Sequence, residues 1–293
     1  MAEQVTWTSA RGEVFDLTDA DGGYVVLGEG TRGLRSVSYE LATAKYAGLD
    51  GEVVQSIRAS SNAPTLGVLL QAEDEDAFRS RVRVLRNAMR PQAGLGVLTV
   101  RTEDGEARTL TCYCVGGFEG DESLEVSHPG RWWKLALKFL APAPYGPWWE
   151  GPEQTVSFGL QAPANFFPAP PFTLAPSTIQ GAFSLDLSDC DAPVYPTWTI
   201  AGPGSALVLA NVTTGRSIQV TTPLTAAESL VIDTRPGFQS VRKGDGTNVM
   251  AAVGSDPALW PLVEDVNDIS VQLTGATTAS RLTATYKPRY AGI

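Results

Sequence analysis

The feature that most constrains the fold is a cluster of prolines near the middle of the sequence. Nine prolines fall among the 36 residues 141–176. Because proline fixes φ and lacks a backbone donor, such a stretch is excluded from helix interiors and central strands. We predict a stiff, extended connector at 141–176. It would join an N-terminal domain, residues 1–140, to a C-terminal domain, residues 177–293.

Composition narrows the fold and function classes further. The 29 glycines and 20 prolines among 293 residues argue against long helices, and 43% hydrophobic residues are enough for a folded core. A net charge of -10 disfavours nucleic-acid binding. No apolar run reaches the length of a membrane span and no export signal is visible, so we expect no membrane association. Three cysteines, an odd number, agree with synthesis in a reducing compartment.

The C-terminal domain is predicted to be a β-sandwich without helices. Short runs rich in β-branched residues alternate with turn formers such as Thr214-Gly215, at a spacing typical of antiparallel sandwiches. The expected strands lie at 197–200, 206–209, 217–221, 229–233 and 270–273.

The N-terminal domain is predicted to be mostly β with one amphipathic helix. Phe78, Val82, Leu85 and Met89 recur along one side of a helix, which begins after acidic residues and ends at Pro91. A turn at 103–105 joins two of the strands. The expected strands lie at 24–27, 34–41, 95–100, 108–115 and 132–140.

Two motifs that resemble ligand sites are better explained as structure. Residues 28–33, GEGTRG, match a dinucleotide-binding pattern, but the next residues alternate as a strand where that site needs a helix. Cys112 and Cys114 share one side of a strand and His128 lies in an expected turn, but no fourth zinc ligand is evident. We therefore predict a glycine-rich turn, buried cysteines, and no cofactor or metal.

No catalytic residue is assigned, because His128 is the only histidine and no GxSxG nucleophile motif occurs. A glycan hydrolase would need two carboxylates about 5 to 10 Å apart, which the sequence does not reveal. Aromatic residues leave sugar binding open, with Trp198 and Trp260 as either core or lectin-like residues.

Four arginines are the candidate subunit-interface residues. Arg79, Arg83, Arg86 and Arg90 recur at helical spacing and form a stripe beside the apolar one. One interpretation is a solvated flank, with Glu75 and Arg79 as an i,i+4 pair. The other is a contact face for carboxylates of a neighbouring copy of this acidic chain.

The order of these features resembles the distal tail protein family of long-tailed, siphovirus-type bacteriophages, the phage tail family proteins. In the first half the resemblance rests on GEGTRG, the helix ending before Pro91, and GLGVLTVRTEDGEARTLTCYCVGGFEG. The segment RWWKLALKFLAPAPYGPWW follows. In the second half it rests on DAPVYPTWTIAGPG, NVTTGRSIQV and LVIDTRPG. It covers nearly the whole chain.

The resemblance implies a structural virion protein at the distal end of the tail, made in the host cytoplasm. Its first domain would form a hexameric adaptor ring between tail tube and tail hub or baseplate, with the genome passing through the ring. Its second domain would be galectin-like. The implied partners are other copies of the chain, the tail tube protein, a tail hub or tail-associated protein, and receptor-binding proteins. The alternative is a carbohydrate-binding module that recognises the host cell surface.

Overall fold

A computed structural model of the chain describes residues 4–119, 127–128, 131–159, 178–254 and 259–293. The contacts divide the chain into two compact units. One comprises Met1–Gly151 together with Tyr290–Ile293, and the other comprises Pro152–Arg289. The chain therefore passes between the units twice. The expected fold class, mainly β with one helix, is confirmed.

The first unit is built on one antiparallel sheet with the strand order β2-β1-β7-β8-β10-β6-β3, so β2 and β3 are its edges. The short strands β9 and β11 pair with β10 and β8. A two-stranded hairpin, β4-β5, pairs only with itself among the described residues. The strands are β1 Gln4–Thr8, β2 Val14–Asp16, β3 Tyr24–Arg32, β4 Tyr39–Ala44, β5 Val53–Ala59, β6 Thr65–Gln71, β7 Gly96–Arg101, β8 Ala107–Gly116, β9 Ser127–His128, β10 Trp132–Leu140 and β11 Trp149–Glu150.

The predicted helix is present as α1, Glu75–Ala88, and its apolar side faces the core of the first unit. Leu85 and Met89 are buried in that core, with Phe78 and Val82 packed against it. The Asp74 side chain accepts a hydrogen bond from the Ala77 amide at 2.8 Å, which caps the first turn. Within the described part of the chain, no helix is long and apolar enough to cross a bilayer.

The prediction of a strand at 34–41 is wrong for the first half of that range. Leu34 and Val37 are both buried, a spacing of three that a strand does not produce, and regular pairing begins only at Tyr39. The Leu34 carbonyl instead accepts a hydrogen bond from the Ile293 amide at 3.0 Å. A contact distant in sequence therefore replaces the local pattern.

The second unit is a sandwich of two antiparallel sheets, as predicted. One sheet has the order β12-β20-β14-β17-β18 and the other β13-β19-β15-β16. Trp198 and Trp260 are fully buried in the core between them, with ring centroids 5.9 Å apart. The strands are β12 Gln154–Gly159, β13 Thr178–Asp186, β14 Thr197–Ala201, β15 Gly204–Asn211, β16 Arg216–Leu224, β17 Ser229–Asp233, β18 Ser240–Lys243, β19 Val266–Thr274 and β20 Arg281–Tyr286; β21 Arg289–Tyr290 follows.

The described part of the predicted connector differs from an unpaired extended segment. Strand β11 pairs with β8 through Glu150 and Thr109, and β12 pairs with β20 along its whole length. Trp149, which precedes the second of these strands, is fully buried in the core of the first unit. Both strands occupy positions between prolines, where their backbone donors are intact. The remaining residues of the predicted connector, 160–176, lie outside the described residues.

Candidate functional site

The arginine stripe is exposed, but only three of its members lie on the helix. Arg79, Arg83 and Arg86 are on α1, while Arg90 follows the helix with extended backbone angles, φ -64° and ψ 123°. Pro91 accounts for this difference, because proline disfavours helical angles in the residue before it. Arg79 pairs with Glu75 as expected. Among the described residues no ion pair involves Arg83, Arg86 or Arg90.

A fourth helix arginine, Arg81, has a different environment that the sequence did not reveal. Its guanidinium lies 6.0 Å from the centroid of the Tyr24 ring and donates a hydrogen bond to the Gln71 carbonyl. Burial raises the pKa of Tyr24, and the positive charge of Arg81 opposes that rise. Arg81 therefore links α1 to strands β3 and β6, and it does not belong to the exposed stripe.

The hairpin β4-β5 carries an exposed apolar face that the sequence analysis missed. Register places Leu41 opposite Ile57 and Thr43 opposite Val54, and opposed residues of antiparallel strands share a face. We call Tyr39, Leu41, Val54 and Ile57 the apolar hairpin face. These four side chains are between 47% and 64% exposed. The opposite face carries the Glu40–Arg58 ion pair, at 3.6 Å.

The hairpin tip, residues 45–52, is also apolar at its outermost positions. Tyr46 is 53% exposed and Leu49 is 61% exposed. Gly48 and Gly51 have φ values of 84° and 91°, a region that glycine adopts without strain, and this lets the chain reverse direction. The tip thus presents an aromatic and an aliphatic side chain on a defined turn.

A groove of about 770 Å³ lies between the two edges of the first unit's sheet. We call it the edge groove. Its lining includes Val25 to Gly28 of edge strand β3, Asp16 of edge strand β2, and the two exposed arginines Arg32 and Arg35. Asp16 is already bonded by Gln4 Nε2 at 2.7 Å and by the Thr18 amide at 2.9 Å. The groove therefore combines apolar walls, an open strand edge and positive charge.

The segment Tyr290–Ile293 completes the first unit beside this groove. The Arg108 guanidinium lies 3.9 Å from the centroid of the Tyr290 ring. The Gly292 carbonyl accepts a hydrogen bond from Arg108 with a distance of 2.5 Å. A Cβ added to Gly292 would lie 2.3 Å from the Arg35 carbonyl, so only glycine permits this approach. The segment fixes the chain just before the hairpin.

The residues considered for metal binding do not form a metal site in the described structure. Cys112 and Cys114 are buried on one side of β8, as predicted. Burial raises the pKa of Cys112 to about 12 and that of Cys114 to about 11, so both thiols are protonated at neutral pH. His128 lies in the short strand β9 instead of the expected turn, because residues 127–128 pair with Trp132 and Trp133. Among the described residues no group of three or more His, Cys, Asp or Glu is placed to hold a metal ion.

The glycine-rich segment 28–33 is part of an edge strand. Strand β3 continues to Arg32, with a register shift between Leu27 and Arg32, so the segment is a bulged strand where a turn was expected. Gly67 of the adjacent strand allows the bulge, because a Cβ there would lie 2.2 Å from the Glu29 carbonyl. The segment does not open a helix, and the next helix begins at Glu75.

The C-terminal part of the chain matches a known protein family. Residues 189–290 match the family model for the C-terminal domain of siphovirus-type tail components. All of this region except its last residue, Tyr290, lies in the second unit, and the region includes most of the sandwich strands. No curated protein sequence matches the chain.

The particular structures extend the likeness to both units. The crystal structure of the Dit protein of phage SPP1 matches with a TM-score of 0.67 at 17% identity, covering 98% of this chain and 99% of that one. A chain of the phage P2 baseplate in its activated conformation with calcium matches with a TM-score of 0.55 at 10% identity over the whole of both chains. The resemblance to distal tail proteins is confirmed, and the chain has a Dit-like fold.

Proposed function

We propose that this chain is a structural component of a phage tail tip, where six copies form an adaptor ring between the tail tube and the hub or baseplate. The SPP1 protein of similar fold is described as a paradigm of hub adsorption apparatus, and the P2 chain belongs to a baseplate structure. The family model matched by residues 189–290 describes a tail component. A role without catalysis agrees with these likenesses.

The observation that carries self-assembly is the apolar hairpin face. An isolated two-stranded hairpin is marginally stable in water, and contiguous exposed apolar side chains mark interaction sites. Covering Tyr39, Leu41, Val54 and Ile57, each about half exposed, would contribute about 1 kcal/mol apiece. A neighbouring copy supplies this cover in the proposed ring.

The arginine stripe is a second exposed surface of the first unit that supports the same assembly. Arg83, Arg86 and Arg90 extend from a chain whose net charge is -10, so carboxylates of a second copy are abundant partners. A contact that joins two different surfaces of neighbouring copies is heterologous. Such contacts close into a ring when the rotation between copies permits. Arginine favours such contacts through its planar, forked donor geometry.

The test is a double substitution on the apolar hairpin face, Leu41→Ser with Ile57→Ser. These residues face each other in register and are 54% and 64% exposed, so the substitutions leave the core of the monomer intact. Light scattering should show assembly of the wild-type chain and its loss in the variant.

The matched control is Val14→Ser with Val212→Ser, which removes two side chains of similar exposure, 66% and 63%, outside the hairpin. The control should assemble like the wild type. Equal assembly of the hairpin variant would contradict the proposed role of the hairpin.

A further inference from the structure

We infer that the hairpin tip of one copy docks in the edge groove of the next copy. This inference rests on the proposed ring and names the two surfaces that would meet in it. The tip and the groove are separate features of the first unit, and each lacks a described partner within the chain that would cover it.

The tip has the chemistry of an inserted anchor. Tyr46 and Leu49 project from it, and aromatic and aliphatic anchors that fill pockets dominate the energetics of interfaces. Asp50 adds an exposed carboxylate next to Leu49, and no ion pair of Asp50 is found within the described residues. Glu52, in contrast, is held within the hairpin by Lys45 at 3.3 Å and by the Thr43 hydroxyl at 2.6 Å.

The groove has the complementary chemistry. Its volume of about 770 Å³ is ample for a tyrosine and a leucine side chain, and its walls include Val25 and Leu27. Arg32 and Arg35 are exposed there, and neither has an ion pair among the described residues. An incoming Asp50 would meet these cations, so charge and apolar contact favour the same occupant.

The geometry requires the contact to join different copies. The hairpin starts at Tyr39, four residues after Arg35, and its base is closed by a 2.6 Å hydrogen bond between the Ser38 and Ser60 hydroxyls. Strands of six and seven residues place the tip about 20 Å from that base. A straight hairpin therefore cannot return its tip to the groove beside its own base. The resulting contact is heterologous, which is the kind that builds rings.

Disulfide trapping tests the contact directly. One chain carries Leu49→Cys at the tip, and a second carries Gly28→Cys in the groove, where an added Cβ meets nothing within 4 Å. The chains are mixed and treated with a mild oxidant, and cross-linked dimers are counted on a non-reducing gel. The three native cysteines are buried and have raised pKa values, so they contribute little background.

The matched control pairs the Leu49→Cys chain with Gly159→Cys, another exposed glycine whose added Cβ meets nothing within 4 Å. We expect a cross-link with Gly28→Cys and none above background with Gly159→Cys. Assembly by light scattering without the specific cross-link would overturn the docking contact and leave the proposed ring standing. Absence of any assembly of the wild-type chain, with tail tube protein added, would contradict both.

A charge exchange gives a second test of the same contact. Asp50→Arg alone and Arg32→Glu alone should each weaken assembly at least about tenfold. Combining the two substitutions in one chain should recover most of the loss, because the opposite charges face each other again. A double variant as weak as the sum of the single variants would count against the contact.

Discussion

Reversing the charge of the arginine stripe separates monomer stability from assembly. Replacing Arg79, Arg83, Arg86 and Arg90 with glutamate would remove the exposed Glu75–Arg79 pair and place like charges there, a change of about 1 kcal/mol or less. Arg86 lies in the last turn of α1, so replacing it with glutamate would lose a favourable helix-dipole interaction. This would destabilise the monomer by about 1 kcal/mol more. The other two arginines are exposed and lack described ion pairs, and such surface changes are usually within about 0.5 kcal/mol.

The expected total for the monomer is therefore about 2 kcal/mol, or a fall in Tm of roughly 4 to 8 °C for a domain of this size. This is small against the roughly 5 to 15 kcal/mol that stabilises a typical domain, so the variant should stay folded. Assembly should fall much further, because the stripe would then repel the acidic surface of the neighbouring copy. Thermal melts at low protein concentration measure the first effect, and light scattering at high concentration measures the second.

The control reverses four other exposed arginines, Arg11, Arg101, Arg216 and Arg281, and so carries the same net charge as the stripe variant. It should assemble nearly as well as the wild type at moderate salt, where screening weakens general repulsion. If the stripe variant assembles as well as this control, the stripe is a solvated flank and its assignment to an interface is refuted.

Two other predictions concern the buried thiols and the connector. The raised pKa of Cys112, about 12 against roughly 8.5 in the unfolded chain, means that its stabilising contribution is complete below about pH 8.5 and is lost as pH rises toward 12. The advantage of the wild type over Cys112→Ala in urea unfolding should shrink by about 2 kcal/mol from pH 8 to pH 10, and an unchanged advantage would contradict the burial of this thiol. Limited proteolysis should cleave first within 141–176 and release two fragments near half the chain, while first cleavage within 217–233 would argue against that division.

The sequence predicted those elements whose pattern is local. The spacing of Phe78, Val82, Leu85 and Met89 specifies a helix with one apolar side, and the structure buries that side. Strand β17 has the predicted bounds, because its alternation is undisturbed and turn residues flank it. In these elements the local propensity and the pattern of apolar residues indicate the same structure. The sequence was therefore enough to predict them without knowledge of distant contacts.

The features on which the proposed assembly rests depend on contacts that the sequence pattern does not contain. Residues 34–41 were predicted to form one strand, but the packing of Tyr290–Ile293 holds the first half of that range in another conformation. Strand β5 has apolar residues like those of a core strand, and nothing local shows that Ile57 faces solvent. Exposure of an apolar side chain is a property of the whole fold. The exposed apolar face of the hairpin therefore could not be predicted from the sequence.

The mass of the assembled wild-type chain tests the central claim most directly. The proposed ring of six 31.1 kDa chains would have a mass of about 187 kDa. Light scattering on the chain alone at increasing concentration, and with tail tube protein added, should find this mass, because assembly depends on protomer and partner concentration. Negative-stain images of the same sample should show six-fold rings. A chain that stays at 31.1 kDa at every concentration and with tail tube protein present would contradict the ring.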